Sequence, residues 1–398
     1  MTTTKSSLPT IALVWSQLGP YHVDRCEAVG RGLAGKAEVL AVEVATSSET
    51  YAWEASGEIP GVRKVTLYPG RTRDSLSVWE KLRAQVRVLR RCHTVFIGVP
   101  YSRVDVILLT IVLRLLRIRV VVMNDSKFDD LPRSAFFELF KSLVLSVYAG
   151  AIVAGGRQIE YMRFLGFKKR PVLPGYDVVG VERVRSQVRQ PLAPQGLPFE
   201  ERPFIFVGRF VPKKNLATLL RAYAIYRSQT ASSPRALVLA GAGPDEAALR
   251  AEAERLGVAA HVQFTGFLTA AQVADRLAGS LALLLVSVEE QWGLVVNEAL
   301  AVGLPVIVSQ QVGARDALVR NLVNGFVVEQ HSMASIVCAM LAMTADKGDW
   351  ERMVRASQER AWLGDCQRLA DSIELLMDPT AQAARERAER LLAELGVP

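Results

Sequence analysis

Residues 289–308 read Glu289-Glu290-Gln291-Trp292-Gly293-Leu294-Val295-Val296-Asn297-Glu298-Ala299-Leu300-Ala301-Val302-Gly303-Leu304-Pro305-Val306-Ile307-Val308. The apolar run just before them, Leu281 to Val288, has the length and composition of a buried parallel strand. Gly293 then opens a helix, Gly303 ends it, and Leu304 to Val308 begins the next strand. Glu290 therefore sits in a strand-to-helix loop, and Glu298 lies more than a turn into the helix. In an open α/β sheet such loops line the carboxyl edge, where ligands bind. The start of the helix offers N–H groups and a positive dipole end, a seat for phosphate. Two carboxylates beside that seat suit a diphosphate flanked by hydroxyl-rich groups, as in a nucleotide sugar.

Upstream, Phe204 to Val207 opens a doubly wound unit and runs into Gly208-Arg209-Phe210-Val211-Pro212-Lys213-Lys214-Asn215. Leu216, Leu219, Leu220 and Tyr223 mark a helix with one buried face. Arg209 and Lys214, with Lys213 as an alternative, thus emerge from one loop at a helix start, a setting for anion capture. Ala236 to Ala240 is a further strand ending in the close-approach turn Gly241-Ala242-Gly243-Pro244, and Val262 to Thr265 ends at Gly266-Phe267-Leu268. From Arg183 to Arg202 the pattern breaks into Pro191, Pro194, Gly196 and Pro198, which reads as a linker between two domains. The expected units are residues 1–182, a linker 183–202, and a second domain 203–360. Helices follow over 361–398, with Trp350 to Met377 a candidate to cross back to the first domain.

The amino-terminal half opens in the same way. Thr10 to Trp15 is a strand, Gly19 permits a tight turn, and Pro20 starts a helix. The literal G-x-G-x-x-G at Gly30 to Gly35 falls at the end of that helix, not in the strand-to-helix turn, so it is rejected as a cofactor site. Further strands are expected at Ala37–Val44, Val62–Leu67, Thr94–Gly98, Arg119–Met123 and Gly150–Gly155, with a polar loop over residues 46–60. Asn124, Asp125 and Ser126 follow a strand and face the ligand edge, and His22 at the first helix start is a further candidate contact. Ser75 to Cys92 places Val78, Leu82, Val86 and Leu89 on one helical stripe, with Lys81, Arg83, Arg87, Arg90 and Arg91 around it. That pattern fits a helix packed on the sheet or one lying on an anionic membrane. Ile111–Arg119 and Phe136–Val147 add basic and apolar surface to the same half.

Composition sets the outer bounds. A chain of 398 residues, half of them hydrophobic and 22% charged, is globular and long enough for two domains. The four cysteines (Cys26, Cys92, Cys338 and Cys366) and four histidines are scattered, so no metal site is expected. Reduced thiols and a polar, signal-free start favour the cytoplasm, with peripheral contact at the inner face of a membrane as an extension. The run Val106 to Leu113 is too short to cross a bilayer. A formal charge of +8 favours anionic partners, yet basic residues are not interleaved with stacking aromatics, so nucleic acid is not expected.

The string from Glu290 to Ile307 resembles the signature of the family-4 retaining glycosyltransferases of the GT-B fold, with Gln291 and Trp292 in place of the usual Gly and Phe. The resemblance is strongest over residues 203–328 and looser over 10–178. It implies two Rossmann-like doubly wound domains facing across a cleft, with an acceptor on the first and a nucleoside diphosphate sugar, UDP- or GDP-linked, on the second. By resemblance Arg209 and Lys214 neutralise the leaving diphosphate, Glu290 holds the transferring sugar, and Glu298 accepts hydrogen bonds from ribose. Gly19, Gly208, Gly241, Gly266, Phe267, Gly293 and Leu294 would line the donor, with Gly266-Phe267-Leu268 passing the base. Many relatives carry a donor-contacting histidine after a first-domain strand; here Asn124, Asp125 or Ser126 would take its place. Gly155-Gly156-Arg157, Pro174-Gly175-Tyr176-Asp177 and Asn324-Gly325-Phe326 also resemble family loops. No Asp-x-Asp clamp is present, since Asp129-Asp130 has the wrong spacing, so metal-independent transfer without a cofactor is expected. The acceptor would be a glycan or a lipid-linked intermediate. Rivals are another GT-B chemistry, such as a nucleotide-sugar epimerase, or a peripheral membrane protein without transferase activity.

Overall fold

A computed structural model of the chain describes residues 8–47, 56–130, 132–230 and 233–396. Two compact units emerge, one of residues 1–180 with 366–398 and one of residues 181–365.

The first unit alternates strands and helices: β1 (Thr10–Trp15), α1 (Pro20–Gly32), β2 (Glu38–Ser47), β3 (Arg63–Thr72), α2 (Val78–Leu89), β4 (Thr94–Ile97) and α3 (Val104–Leu115). There follow β5 (Arg119–Asn124), α4 (Ala135–Leu145), β6 (Gly150–Val153), α5 (Gly156–Phe164) and β7 (Val172–Pro174). The sheet order is β3-β2-β1-β4-β5-β6-β7, and every pairing is parallel. Chain order reverses between β1 and β4, which makes a crevice at their carboxyl ends. The central strands β1, β4, β5 and β6 are buried on both faces and so read as nearly unbroken apolar runs. β3 continues past the expected end at Leu67 through Pro69 and Gly70, which an edge strand tolerates because one side has no partner. Residues 48–55, most of the loop expected at 46–60, lie outside the described residues.

The second unit starts with α6 (Val181–Ser186) and continues β8 (Phe204–Val207), α7 (Leu216–Gln229), β9 (Leu237–Ala240), α8 (Glu246–Arg255), β10 (Val262–Gly266) and α9 (Ala270–Ala278). Next come β11 (Ala282–Leu285), α10 (Leu294–Ala301), β12 (Val306–Ser309), α11 (Arg315–Leu318), β13 (Gly325–Val328), α12 (Met333–Ala345) and α13 (Lys347–Arg360). Its parallel sheet runs β10-β9-β8-β11-β12-β13, with the reversal between β8 and β11.

Three expectations need correction. The stretch 183–202 is not a free linker. It belongs to the second unit, where Arg185 donates to Ala301 O, Gln190 to Asp275 O, and fully buried Arg202 to the carbonyls of Leu197, Ala278 and Ser280. Its prolines shape an irregular path while its side chains provide the anchoring. Trp350 to Met377, the candidate to cross back, does so only in its second half: a tight turn at Ala361–Gly364 interrupts it, where a side chain on Gly364 would meet Asn297 Nδ2 at 2.6 Å. Only then does α14 (Gln367–Met377) join the first unit, packing on α1, followed by α15 (Gln382–Leu395). Finally, α2 buries its apolar stripe: Leu82 and Leu89 lie in the core, with Val86 and Val88 packed against it. Lys81 is also buried, and the outward face carries Arg83, Arg87 and Arg90. The helix is amphipathic because it covers the sheet, and its apolar side is not available to lipid.

No helix among the described residues is long and apolar enough to cross a membrane. Cys26, Cys92 and Cys366 are buried free thiols, and Cys338 is exposed.

The G-x-G-x-x-G stretch is explained by packing. A Cβ on Gly30 would lie 2.7 Å from Val62 Cγ2 and 3.1 Å from Gly61 O, so this glycine lets α1 approach the chain entering β3. Gly30→Ala is expected to cost about 1–3 kcal/mol of unfolding free energy by overpacking. Denaturant melts should show that loss, and nucleotide titrations should show an unchanged affinity.

Candidate functional site

At the β8–β11 reversal, the loops after two adjacent strands meet. A short 3-10 turn, Pro212–Lys214, follows β8 and delivers Lys214, whose ammonium donates to the Glu290 carboxylate. Ser287 Oγ donates to the same carboxylate at 3.3 Å. Both charged side chains are mostly buried, at 14% and 13% exposed, so the pair is shielded from solvent on most sides. Lys213 instead pairs with Glu289 at 3.4 Å on the more exposed flank. Asn215, in the left-handed conformation at φ 58°, fixes the turn: its Nδ2 donates to Val286 O at 3.1 Å and Gln330 O at 2.7 Å. Backbone bonds add Val288 N to Lys213 O at 2.9 Å. Lys214 and Glu290, 76 residues apart, are thus held together by the two loops.

Gly293 caps α10 at φ 98° and ψ 66°, a conformation that only glycine adopts without strain. Glu298 projects from the second turn of that helix and is 5% exposed. Trp292 Nε1 donates to Asn297 Oδ1 at 3.0 Å, and Asn297 Nδ2 donates to Gly364 O at 3.2 Å, so the indole pins the loop to its own helix. The loop is also clamped from β12's side, where Gly313 N donates to Glu290 O and a Cβ on Gly313 would lie 1.7 Å from Gln291 O.

The glycines after β8, β9 and β10 converge on the same edge. Gly241 N donates to Gly266 O at 2.9 Å, and Gly208 N to Ala240 O at 2.9 Å. A Cβ on Gly241 would fall 1.9 Å from Gly208 O, and one on Gly243 would fall 2.3 Å from Phe210 O. Gly266, at φ 70°, has open space around its α-carbon, and Phe267 beside it is 74% exposed. Arg209 is exposed on the same loop as Lys214. The second unit therefore collects Gly208, Arg209, Lys214, Gly241, Gly266, Phe267, Glu290, Gly293, Leu294 and Glu298 on one carboxyl edge.

The first unit gathers its own residues at the corresponding edge. Gly19 precedes α1, and its N–H donates to His22 Nδ1 at 3.1 Å, while the imidazole leans on Trp15 at 4.9 Å. Burial, then the Arg25 charge, lowers the His22 pKa well below the usual histidine range, so the ring is neutral at pH 7. Arg25 pairs with Asp177 at 3.1 Å and lies 5.0 Å from the Tyr176 ring, whose hydroxyl accepts from Trp15 Nε1 at 3.2 Å. Asp125, after β5, is pushed up to about 7, first by burial and then by the neighbouring Asp177 charge. Asn124 is buried with no hydrogen-bond partner for its Nδ2, and Ser126 is half-buried. Gln158, just beyond Gly155-Gly156-Arg157, donates to Asp125 O at 3.3 Å.

Some sequence candidates turn out to hold the fold. Asp129 and Asp130 both pair with the fully buried Lys127. Asn324 bonds its own turn through Arg320 N and Leu318 O, and a Cβ on Gly325 would strike Val306 O at 2.0 Å. Among the described residues no group of three or more His, Cys, Asp or Glu could hold a metal ion. Sequence reasoning missed Asn215, Ser287, Asn297 and Gly313. Asn215 was signalled by its place between a Pro-Lys-Lys turn and a helix, where asparagine accepts positive φ; Gly313 had no comparable local signal.

Residues 191–360 match the family model of the glycosyl transferases group 1. The chain is 32% identical over 220 residues to a D-inositol 3-phosphate glycosyltransferase of Streptomyces griseus, covering 54% of this chain and 43% of that one. It is 30% identical over 165 residues to an uncharacterized glycosyltransferase of Methanocaldococcus jannaschii, covering 41% of each. The chain thus spans about two fifths of the length of these curated relatives. Likeness of fold extends further. Sucrose-phosphate synthase of Thermosynechococcus elongatus superposes with TM-score 0.68 at 18% identity, over 94% of this chain and all of that one. HepE of Anabaena, in complex with UDP and glucose, superposes with TM-score 0.69 at 15% identity, over 93% of this chain and all of that one. The fold is GT-B, and within it residues 191–360 are similar to the glycosyl transferases group 1.

The raised Asp125 pKa has a consequence for stability. A carboxyl harder to ionise when folded favours folding below about pH 4, the unfolded value. That contribution is lost as the pH rises through about 7. Asp125→Asn cannot ionise, so its melting temperature should gain on the wild type between pH 4 and pH 8. An unchanged difference across that window would show that Asp125 is not held neutral.

Proposed function

We propose that this protein is a retaining, metal-independent family-4 glycosyltransferase that moves a sugar from a UDP- or GDP-linked donor to an acceptor. The observation that supports the reading most is the shielded Lys214–Glu290 pair at the β8–β11 reversal, beside Gly241 and Gly266. Lys214 and Arg209 supply positive charge for the departing diphosphate without a divalent ion. Glu290 holds sugar hydroxyls, and Glu298, on the second turn of α10, accepts from ribose. As the bond from the anomeric carbon to the diphosphate breaks, positive character grows on the sugar and negative charge on the leaving oxygens. The fixed ammonium and the α10 dipole stabilise the second of these without reorganising. The acceptor hydroxyl oxygen then bonds to the anomeric carbon, and its proton passes to an oxygen of the departing diphosphate, which leaves as the nucleoside diphosphate.

The acceptor is a glycan or a lipid-linked intermediate, bound by the first unit and met in the cytoplasm at the inner face of a membrane. The relatives' names support a polyhydroxylated acceptor, since one acts on D-inositol 3-phosphate. The neutral His22 and the near-neutral Asp125 carboxyl suit hydroxyl contacts by hydrogen bonding, without the desolvation cost of a full charge.

The residues should fail in different ways. Lys214→Ala is expected to lower kcat by roughly 100- to 1000-fold, the usual loss when one preorganised charge stabiliser is removed. Glu290→Gln should also lower kcat with the fold intact, while Glu298→Ala should mainly raise the donor KM. Steady-state kinetics with varied UDP- and GDP-sugars, controlled by melting curves, measure this. Wild-type rates in both Lys214→Ala and Glu290→Gln would refute the assignment.

Activity in excess EDTA is expected to stay at its starting level. Abolition by EDTA, with rescue by magnesium or manganese, would overturn the metal-independent reading.

A further inference from the structure

Helix α4 turns a large apolar face outward. Phe136, Leu139, Phe140 and Leu143 fall at i, i+3, i+4 and i+7, which places them on one face. That face points to solvent, with exposures of 75%, 70%, 42% and 70%, and Phe137 flanks it at 61%. The inward side carries Glu138, Lys141 and Ser142 along its middle, and Val144 and Leu145 enter the core only at its carboxyl end. Glu138 is 7% exposed and accepts from Tyr161 Oη at 2.6 Å and Lys141 Nζ at 2.8 Å, with Arg133 at 3.6 Å. Ser142 Oγ donates to Leu165 O at 3.0 Å. These bonds fix the rotation of α4, so the apolar face cannot roll inward without breaking a satisfied buried network. Next to Tyr161, Phe128 and Phe164 pack edge to face at 5.4 Å and leave 51% and 62% of themselves exposed.

We infer that α4 is the membrane-docking element of the first unit, seated in the surface of an anionic bilayer. Charge selects this occupant. Beyond the ion-paired Arg133, Lys141 and Arg157, residues 163–170 add Arg163, Lys168, Lys169 and Arg170 with no acid among them. Arg170 donates to Leu145 O at 2.6 Å and Tyr148 O at 2.8 Å, which ties the exposed Lys168 and Lys169 to the carboxyl end of α4. A second copy of the chain would bring this cationic rim against itself. An anionic headgroup layer complements it while the aromatic face enters the acyl boundary. This inference rests on the peripheral-membrane reading above, not on transferase activity, and it moves the contact from α2 to α4.

The test is flotation with phosphatidylcholine vesicles, with and without phosphatidylglycerol, in the absence of any donor. Wild type is expected to float with the anionic vesicles. Replacing Phe136, Leu139, Phe140 and Leu143 together by serine should cut that partition about tenfold or more, at an unchanged or raised melting temperature. Lys168→Gln with Lys169→Gln should weaken binding only where phosphatidylglycerol is present. Arg83→Gln, Arg87→Gln and Arg90→Gln on α2 should cost less than the serine set. As a readout independent of the serine variant, Leu143→Trp fluorescence should shift to the blue with anionic vesicles. Flotation that survives the serine set would overturn the α4 assignment and leave membrane contact standing. No flotation of wild type, or a wild-type dimer in light scattering that the serine set converts to monomer, would overturn both.

Discussion

Backbone crowding at the carboxyl edge of the second sheet is the constraint on which the site depends. Where the loops after β8 and β9 touch, a single methyl group at Gly241 would lie 1.9 Å from Gly208 O. The same holds between the loops after β11 and β12, where Gly313 meets Gln291 O at a distance that excludes any side chain. Such contacts force the loops into one arrangement, and Asn215 and Gly293 complete it by accepting left-handed conformations. The ionic pair between Lys214 and Glu290 is a result of that arrangement. Neither residue is placed by its own segment alone.

The two units use their carboxyl edges in opposite electrostatic ways. The second concentrates formal charge in Arg209, Lys214 and Glu290, on loops or turns before helices, and in Glu298 on the second turn of α10. The first removes it. His22 loses its proton to burial and Arg25, Asp125 keeps its proton longer because of burial and Asp177, and Asp177 is matched by Arg25. One edge suits a charged ligand group and the other a neutral, hydroxyl-rich one. That division follows from side-chain environment and would hold for any pair of ligands with those characters.

Much of this was legible along the chain. Strands buried on both faces leave unbroken apolar runs, so β1, β4, β5, β8 and β11 were readable, as were the glycines and the carboxylate string that follow them. Edge and junction features were less legible. β7 is three residues long, and the end of β3 contains Pro69 and Gly70. The proline-rich stretch before β8 looks unanchored until Arg202 is seen to be buried among carbonyls. Helix α2 shows why an amphipathic pattern alone does not identify a surface helix, since a basic stripe opposite an apolar one also describes a helix lying on a sheet. α4 carries the complementary lesson. Its stretch reads as apolar and basic surface, but only the partners of Glu138 and Ser142 reveal which side faces in. Gly313 and Asn297 act through partners distant in sequence, and no local pattern encodes those.

The return of residues 366–398 to the first unit gives the chain an unusual order of assembly. In topological terms the second unit is an insertion within the first. Lys36, in the turn after α1, and Glu374 of α14 pair across 338 residues, so the first unit's last layer closes only after the whole second unit has been synthesised. Chains emerge from the ribosome amino end first, and domains generally fold as units. The inserted unit, whose residues 181–365 are contiguous, can complete its core while the earlier sheet still lacks α14. During that interval the face destined for α14, with Ile11, Leu13 and Val29 in its core, is uncovered and open to chaperones or to misassociation.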